Sequence, residues 1–458
     1  MSQTVSYKNG ITEGVIWKQL LAFFFPILLG TFFQQLYNTV DAVIVGNFVG
    51  KEALAAVGGS TGTLINLLVG FFTGLSSGAT VIISQFYGAR RDEQVSNAVH
   101  TAIALGLVAS VVFFVVGFFG APAALEAMDT PDDIMDYALV YIRTYFVGIV
   151  FPLIYNMGAG ILRAIGDSRR PLYFLIICCL VNVVLDLLFV VGFDMGVFGA
   201  ALATLLSQAV SACLVVMTLL RIPNACRLIP RKIRFHSSIL RSIILIGLPA
   251  GLQSVMYSLS NIIIQSSVNS FGTNSVAAWT AYGKIDAVFW MTINAFGISI
   301  TTFVGQNFGA QKFDRVKKSV RICWWMALGA SLAISGVILL FGQYILRLFT
   351  SDADVVQIGM EIIRQLVPLY FTYVCIEVFS GACRGAGDSL IPMIMTALGV
   401  CVLRVAWIFI AVPISPLLST ALMSYPITWA TTSVLFLIYY CQGGWMRRRM
   451  AKMGFTKS

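Results

Sequence analysis

Arg163-Ala164-Ile165-Gly166-Asp167-Ser168-Arg169-Arg170-Pro171 returns 221 residues later as Arg384-Gly385-Ala386-Gly387-Asp388-Ser389-Leu390-Ile391-Pro392. Arg, Gly, Asp, Ser and Pro keep register. The same shift pairs Arg143 with Arg364, Gly160 with Gly381, and Gln85-Phe86-Tyr87-Gly88-Ala89 with Gln306-Asn307-Phe308-Gly309-Ala310. A recurrent loop type would explain one such match. Matches in several segments at one shift predict two homologous halves.

The halves are apolar. Of 458 residues, 58% are hydrophobic and 11% charged, whereas a soluble domain carries about 25% charged residues. Long continuous apolar runs recur from residue 15 to 441. They are too long and too little alternating for barrel strands, so the chain reads as an all-α integral membrane protein. The first sixteen residues are polar, and no small-residue cleavage site follows the first apolar run. A retained first helix is therefore expected, not a cleaved signal peptide. The nine cysteines form no CxxC pair and read as packed hydrophobes. With only His100 and His236, a histidine metal centre is not expected.

A span needs about 20 apolar residues. Twelve fit: 16–45, 53–84, 94–120, 133–162, 170–192, 195–221, 238–268, 275–306, 316–343, 355–384, 390–412 and 416–441. The loops alternate in charge. Lys8, Lys18, Arg90, Arg91, Arg163, Arg169, Arg170, Arg221 to Arg241, Lys312 to Arg321, Arg384 and Arg447 to Lys457 fall on one side. The other side carries Lys51 and Arg347, with the acidic group Glu126, Asp129, Asp132 and Asp133. Basic loops stay in the cytoplasm, which puts both termini inside, as an even number of spans requires. The net charge of +10 is then a topology signal. The basic residues sit in short loops without an aromatic groove, so nucleic acid is not an expected partner. Six spans per half make the repeat parallel, pseudo-twofold about the membrane normal. The expected division is an N-lobe at 1–222, a cytoplasmic linker at 223–237, a C-lobe at 238–442 and a basic tail at 443–458.

Ionisable and amide residues at membrane depth mark candidate sites. Gln34, Tyr37, Asn38 and Asp41 share one face of the first helix. Either this stripe ends in a buried carboxylate or Asp41 lies in water at the outer end. Asn182 and Asp186 share a face of the fifth helix, with no Lys or Arg at that depth in it or the next helix. Thr204 of the sixth helix enters from outside at a matching depth. These oxygens could bind a proton or a hard cation such as Na⁺, or form a structural network between helices. Asn156 and Glu377 occupy equivalent positions, an amide in one half and a carboxylate in the other. Glu377 could attract a cation or pair with Arg404. Arg143 and Arg364, repeated in both halves, read as structural; Lys284 and Asp286 read as near water. Met256, Tyr257, Asn261, Met291 and Asn294, with Trp279 and Trp290, could line a cavity for varied amphipathic ligands or simply pack helices. Pro26 and Pro249 sit at corresponding places in the first and seventh helices and can hinge them.

These residues together resemble the multidrug and toxic compound extrusion (MATE) family over nearly the whole chain. The carriers are Pro26, Asp41, Gly46 and Leu54-Ala55-Ala56; the paired Arg-x-x-Gly-Asp signatures; and Gln306-Asn307-Phe308-Gly309-Ala310. Asn182 to Asp186 and Gly196 to Thr204 complete them. The resemblance implies a MATE fold: two six-helix lobes forming a V around a central cavity. It implies export of cationic lipophilic drugs in exchange for Na⁺ or H⁺, with no cofactor beyond that ion. It implies a cation site at Asp41, Asn182, Asp186 and Thr204, joined by Asn156 if the fourth helix bends. Acidic coupling residues that some branches carry in the seventh helix have no counterpart here, which leaves Asp286 and Glu377 in the C-lobe.

The expected function is a secondary antiporter working by alternating access, active as a monomer on cationic amphipathic small molecules. A flippase for a lipid-linked saccharide would need a cationic cavity, for which only Lys284 and Arg404 remain. An intramembrane enzyme would need a convergent catalytic set, and no histidine lies near an obvious nucleophile. No GxxxxGK[ST] motif occurs, so ATP does not drive transport within this chain. Topology is testable: a green fluorescent protein fused after Ser458 should fluoresce, and alkaline phosphatase inserted between Glu126 and Asp133 should be active. The opposite pattern would invert the assignment.

Overall fold

A computed structural model describes residues 10–128 and 130–452. Lys8, Asp129 and Lys457, counted above among the loop charges, lie outside them. Among the described residues, eleven helices and one bent helix pair are long and apolar enough to cross a bilayer, giving the twelve expected spans. They are α1 (Ile16–Phe48), α2 (Lys51–Gly88), α3 (Asp92–Glu126), α4 (Asp132–Val147 with Val150–Ala164), α5 (Arg169–Gly192) and α6 (Gly196–Arg221). The second six are α7 (Ser237–Asn269), α8 (Thr273–Gly309), α9 (Phe313–Arg347), α10 (Ala353–Gly385), α11 (Leu390–Ile414) and α12 (Leu418–Cys441). A short α13 (Gly444–Lys452) follows.

The repeated signature is a repeated helix stop. Gly166 and Gly387 have φ of 95° and 94°, the left-handed region that costs glycine nothing. In the first copy Gly166 N–H donates to Arg163 O (2.9 Å) and Asp167 N–H to Leu162 O (3.0 Å). In the second, Gly387 N–H donates to Arg384 O (2.8 Å) and Asp388 N–H to Cys383 O (2.9 Å). Both are Schellman closures of the preceding helix. Asp167 Oδ1 then accepts from the Arg169 and Arg170 N–H groups and starts α5.

Two spans expected to be continuous are interrupted. α4 bends by 49° between Val147 and Val150. Pro152 has no N–H to give the Gly148 carbonyl, and Phe151 N–H takes that carbonyl instead at 3.0 Å. In α10 the corresponding place is a 3₁₀ stretch, Val367–Tyr373, containing Pro368. α5 ends in a π-helical turn, Leu187–Gly192, and α11 contains another at Ala397–Val402.

The chain forms two compact units, and their division differs from the expected one. One unit is built of Phe25–Gly251; the other takes Ile11–Phe24 and everything from Leu252 on. The start of α1, Ile16–Phe24, and the first half of α7, Ser237–Gly251, thus belong to the unit formed by the other half of the sequence. The residues of the expected linker are no free connector either. Cys226 and Leu228 are buried in the first unit's core. His100, 1% exposed, accepts the Ile229 N–H at Nε2 (2.9 Å), while its Nδ1 donates to Ser96 O (2.6 Å).

What holds the first half of α7 is backbone against backbone. Gly74 and Gly78 of α2 face Gly247 and Gly251 of α7. A Cβ on Gly74 would stand 2.4 Å from Gly251 N, and one on Gly78 2.4 Å from Ile243 O. Paired small-x-x-x-small faces give close helix association in lipid. The first half of α1 is held in the other unit by aromatic packing: Phe24 stacks on Phe296 at 4.1 Å and Phe23 meets Phe303 edge-on at 6.1 Å. Gly78→Leu should therefore push α7 off α2 and cost about 1–3 kcal/mol or more. Gly329→Leu, where a Cβ meets nothing within 4 Å, should cost little. Thermal unfolding of the purified variants measures both; equal melting temperatures would refute the close-contact account.

Candidate functional site

In the first unit Asp41, Asn182, Asp186 and Thr204 are all buried, Asn182 and Asp186 completely. Asp41 does not lie in water at the outer end of α1; it is 5% exposed. α1 delivers it one turn after Tyr37, which is also buried. Gln34 and Asn38 are exposed, so the expected stripe of four is split into a buried pair and an exposed pair. α5 delivers Asn182 and Asp186 from its last α-helical turn, where Leu187 begins the wider π turn.

The partners of these groups are few. Tyr141 of α4 donates its hydroxyl to Asp41 Oδ2 at 3.5 Å and also lies against Thr204. Gln208 of α6 donates to the Tyr37 hydroxyl at 2.9 Å. Asp41 Oδ1, both Asp186 oxygens and both amide atoms of Asn182 are buried with no hydrogen-bond partner among the described residues. Asp41 and Asp186 are near enough to feel each other's charge. Buried polar atoms are nearly always paired, because each orphan costs about 1–3 kcal/mol and more when charged. Two carboxylates, an amide and a hydroxyl make an oxygen-rich set for a hard cation or a proton.

α4 bends as the expectation for Asn156 required, and Asn156 lies half-buried in the second segment of that helix. Its Nδ2 donates to Pro152 O in its own helix at 2.8 Å, and Ser76 Oγ donates to its carbonyl at 3.3 Å. Tyr141 and Gln208 were not singled out from the sequence. Gln208 had a signal, since it lies four residues after Thr204 on the same helical face. Tyr141 had none, because its place depends on the break in α4.

The second unit holds a different polar cluster. Asp286 is not a group near water. Its Oδ2 accepts from Trp290 Nε1 at 2.6 Å and its Oδ1 from the Tyr370 hydroxyl, which bonds Tyr282 at 2.8 Å. Phe289 stacks on the Tyr370 ring at 4.1 Å. Lys284 is exposed. Tyr257 and Tyr373 share a hydroxyl–hydroxyl bond of 3.2 Å. Glu377 lies directly over Gly297, where any side chain would collide with its carboxylate. Of the two alternatives for Glu377, the ion pair with Arg404 is absent among the described residues. Arg404, 2% exposed, instead lies over the Tyr425 ring at 4.1 Å and donates to Thr428 Oγ1 at 3.2 Å. Met256 and Met291 are half-buried, and Asn261 and Asn294 exposed. The repeat partners Arg143 and Arg364 differ in surroundings: Arg143 lies over the Phe118 ring at 5.4 Å and Arg364 is exposed.

Comparison with known proteins agrees with this architecture. A sequence model of the MatE family matches residues 26–188 and again 249–410, one match starting at each helix proline. The probable multidrug resistance protein YpnP of Bacillus subtilis is 30% identical over 86% of this chain and 88% of its own length. The probable multidrug resistance protein YoeA of the same organism is 27% identical over 96% of both. A solved structure, the outward-facing conformation of a multidrug resistance MATE family transporter of the MOP superfamily, superposes with a TM-score of 0.89. It is 24% identical over 97% of this chain and 98% of the other. With the duplicated family match and a relative of this similarity along almost its full length, the chain belongs to the MATE family of membrane transporters, and it is a transporter, not an enzyme.

Proposed function

We propose that this transporter is a secondary antiporter that exports cationic lipophilic compounds in exchange for Na⁺ or H⁺. The observation that carries the reading is the buried pair Asp41 and Asp186, with five polar atoms of Asp41, Asn182 and Asp186 left without partners. An ion entering this cluster supplies what those atoms lack and changes its charge. A ligand shifts a two-state equilibrium only through different affinities for the two states. Carboxylates that bind the ion in one state and counter a cationic compound in the other provide that difference. Tyr141 fixes one oxygen of Asp41 and leaves the other free for the ion.

Pro26 and Pro249 lie within two residues of the places where α1 and α7 pass from one compact unit into the other. Each proline removes one backbone hydrogen bond from its helix. We take both as hinges through which the ion-binding end of α1 moves. The basic loops support a cytoplasmic location for both termini in a bacterial cytoplasmic membrane. We take the single chain as the working unit and propose no cofactor other than the coupling ion. Export of compounds is in keeping with the multidrug resistance names of the relatives. A flippase for polyanionic lipid-linked sugars fits less well, because Arg404 is already engaged by Tyr425 and Thr428.

The test is ethidium efflux from proteoliposomes under a Na⁺ gradient and a pH gradient imposed separately. One gradient should drive efflux. Asp41→Asn and Asp186→Asn should each lower the rate by about tenfold or more, as expected where a charge made essential by the mechanism is removed. The variants should insert and elute like the parent protein. Efflux at the parent rate in either variant would overturn the proposed coupling. Pro26→Ala should slow efflux while leaving the melting temperature unchanged; an unchanged rate would remove the hinge role.

A further inference from the structure

The second unit has a cavity of about 1370 Å³ whose lining includes none of Asp286, Trp290, Tyr370, Glu377 or Arg404. It lies where α9 begins, where α12 ends, and under α13. Its lining is basic at the mouth and aromatic inside. Lys312, Arg315, Lys317, Lys318, Arg321 and Arg447 line it, with Asp314 as the single carboxylate of the lining.

Two of these cations are already used. Arg315 donates to the carbonyls of Ile11, Glu13 and Gly14 and to Gln19 Oε1. Lys312 donates to Thr12 O at 2.9 Å and lies 4.0 Å from Glu13. They fasten the start of α1, whose Ile16 forms part of the wall. Lys317, Lys318, Arg321 and Arg447 have no carboxylate within ion-pair distance among the described residues. Lys317 and Arg321 are four apart on α9 and so share a face.

The inner wall is a stack. Phe379 lies on Tyr440 at 4.6 Å, and Tyr440 on Trp445 at 5.4 Å. Trp445 is buried, so α13 is docked by its ring, and Gly443 makes the left-handed turn that folds α13 back. Leu437 of α12 belongs both to the cavity lining and to an exposed apolar strip with Val434 and Ile438. In a protein that spans a bilayer, that strip faces acyl chains. The site therefore offers exposed cations, stacked rings beside them and an exposed apolar track leading away. A soluble anion would use the first of these features only.

We propose that this cavity holds the headgroup of an anionic phospholipid. Its phosphate sits among Lys317, Arg321 and Arg447, and its chains run along Val434, Leu437 and Ile438. Arg binds phosphate through paired N–H donors and Lys as a point charge. Basic pockets between membrane helices are suited to such headgroups. α13 forms one wall of the site, so the bound lipid holds α13 against α9 and α12.

Lipid binding is read by native mass spectrometry on the full chain in detergent, independently of transport. The probes are phosphatidylglycerol, phosphatidylcholine and soluble glycerol phosphate. The parent protein should retain one phosphatidylglycerol about tenfold more tightly than phosphatidylcholine, and Lys317→Gln/Arg321→Gln/Arg447→Gln should erase that preference. Removing as much charge elsewhere, in Arg231→Gln/Lys232→Gln/Arg234→Gln, should leave it intact. The single changes Lys317→Gln and Arg447→Gln alter exposed side chains and should each weaken the preference, so the test survives if the triple variant folds poorly. Equal retention of both lipids by the parent, or an unaltered preference in both single variants, would overturn the proposal. Displacement of phosphatidylglycerol by glycerol phosphate at equal concentration would make this a soluble-anion site and overturn it too.

Discussion

In hydrocarbon every backbone N–H and C=O must find its partner within the protein, and the rest of this structure follows from that requirement. It makes each span a helix and then turns the small polar side chains back on their own helices. Thr31 donates to Ile27 O, Thr39 to Gln35 O, Ser110 to Gly106 O and Thr144 to Val140 O. Hydroxyls satisfied in this way are silent. Against that background, Asp186 stands out as a carboxylate with both oxygens buried and without a hydrogen-bond partner among the described residues.

The two halves share a backbone and diverge in what they put on it. The glycine-closed helix ends at Gly166 and Gly387 agree within one degree of φ. Carried across by the same shift, however, Asn182 and Asp186 fall on Leu403 and Trp407, and Thr204 on Tyr425. The oxygen-rich cluster is therefore not duplicated. The second unit has Asp286, on a different helix, enclosed by hydroxyls and rings that satisfy both its oxygens. One half holds buried polar atoms without hydrogen-bond partners among the described residues, and the other holds a carboxylate already bonded.

Much of this was legible in the sequence. Helix number follows from apolar run length, and the repeat from residues that a left-handed turn and a cap demand. The membrane depth of Asp186 follows from its place along the fifth apolar run. Its lack of an ionic partner follows from the absence of Lys or Arg at that depth in its own or the next helix. Other features were not legible, for identifiable reasons. The break in α4 turns on which carbonyl Pro152 fails to serve. The hydrogen bond from the Asn156 amide to the Pro152 carbonyl of its own helix carried no signal either. Arg404 and Glu377 matched as opposite charges, yet a tyrosine ring and a threonine hydroxyl hold the arginine. The 223–237 segment reads as a linker by composition, but His100 and the first unit's core take it up.

The exchange of half-helices has a consequence for how the chain is put together. Each compact unit is completed by the first part of a helix that belongs, by sequence, to the other repeat. This is the arrangement of a domain-swapped dimer, with the two subunits joined end to end by the segment between α6 and α7. Neither repeat is a self-contained building block: cut at that segment, each piece would carry an unmatched half-helix and lack the one it needs. During synthesis the first unit stays incomplete until the start of α7 has emerged. Its final packing waits on residues well beyond the sixth span.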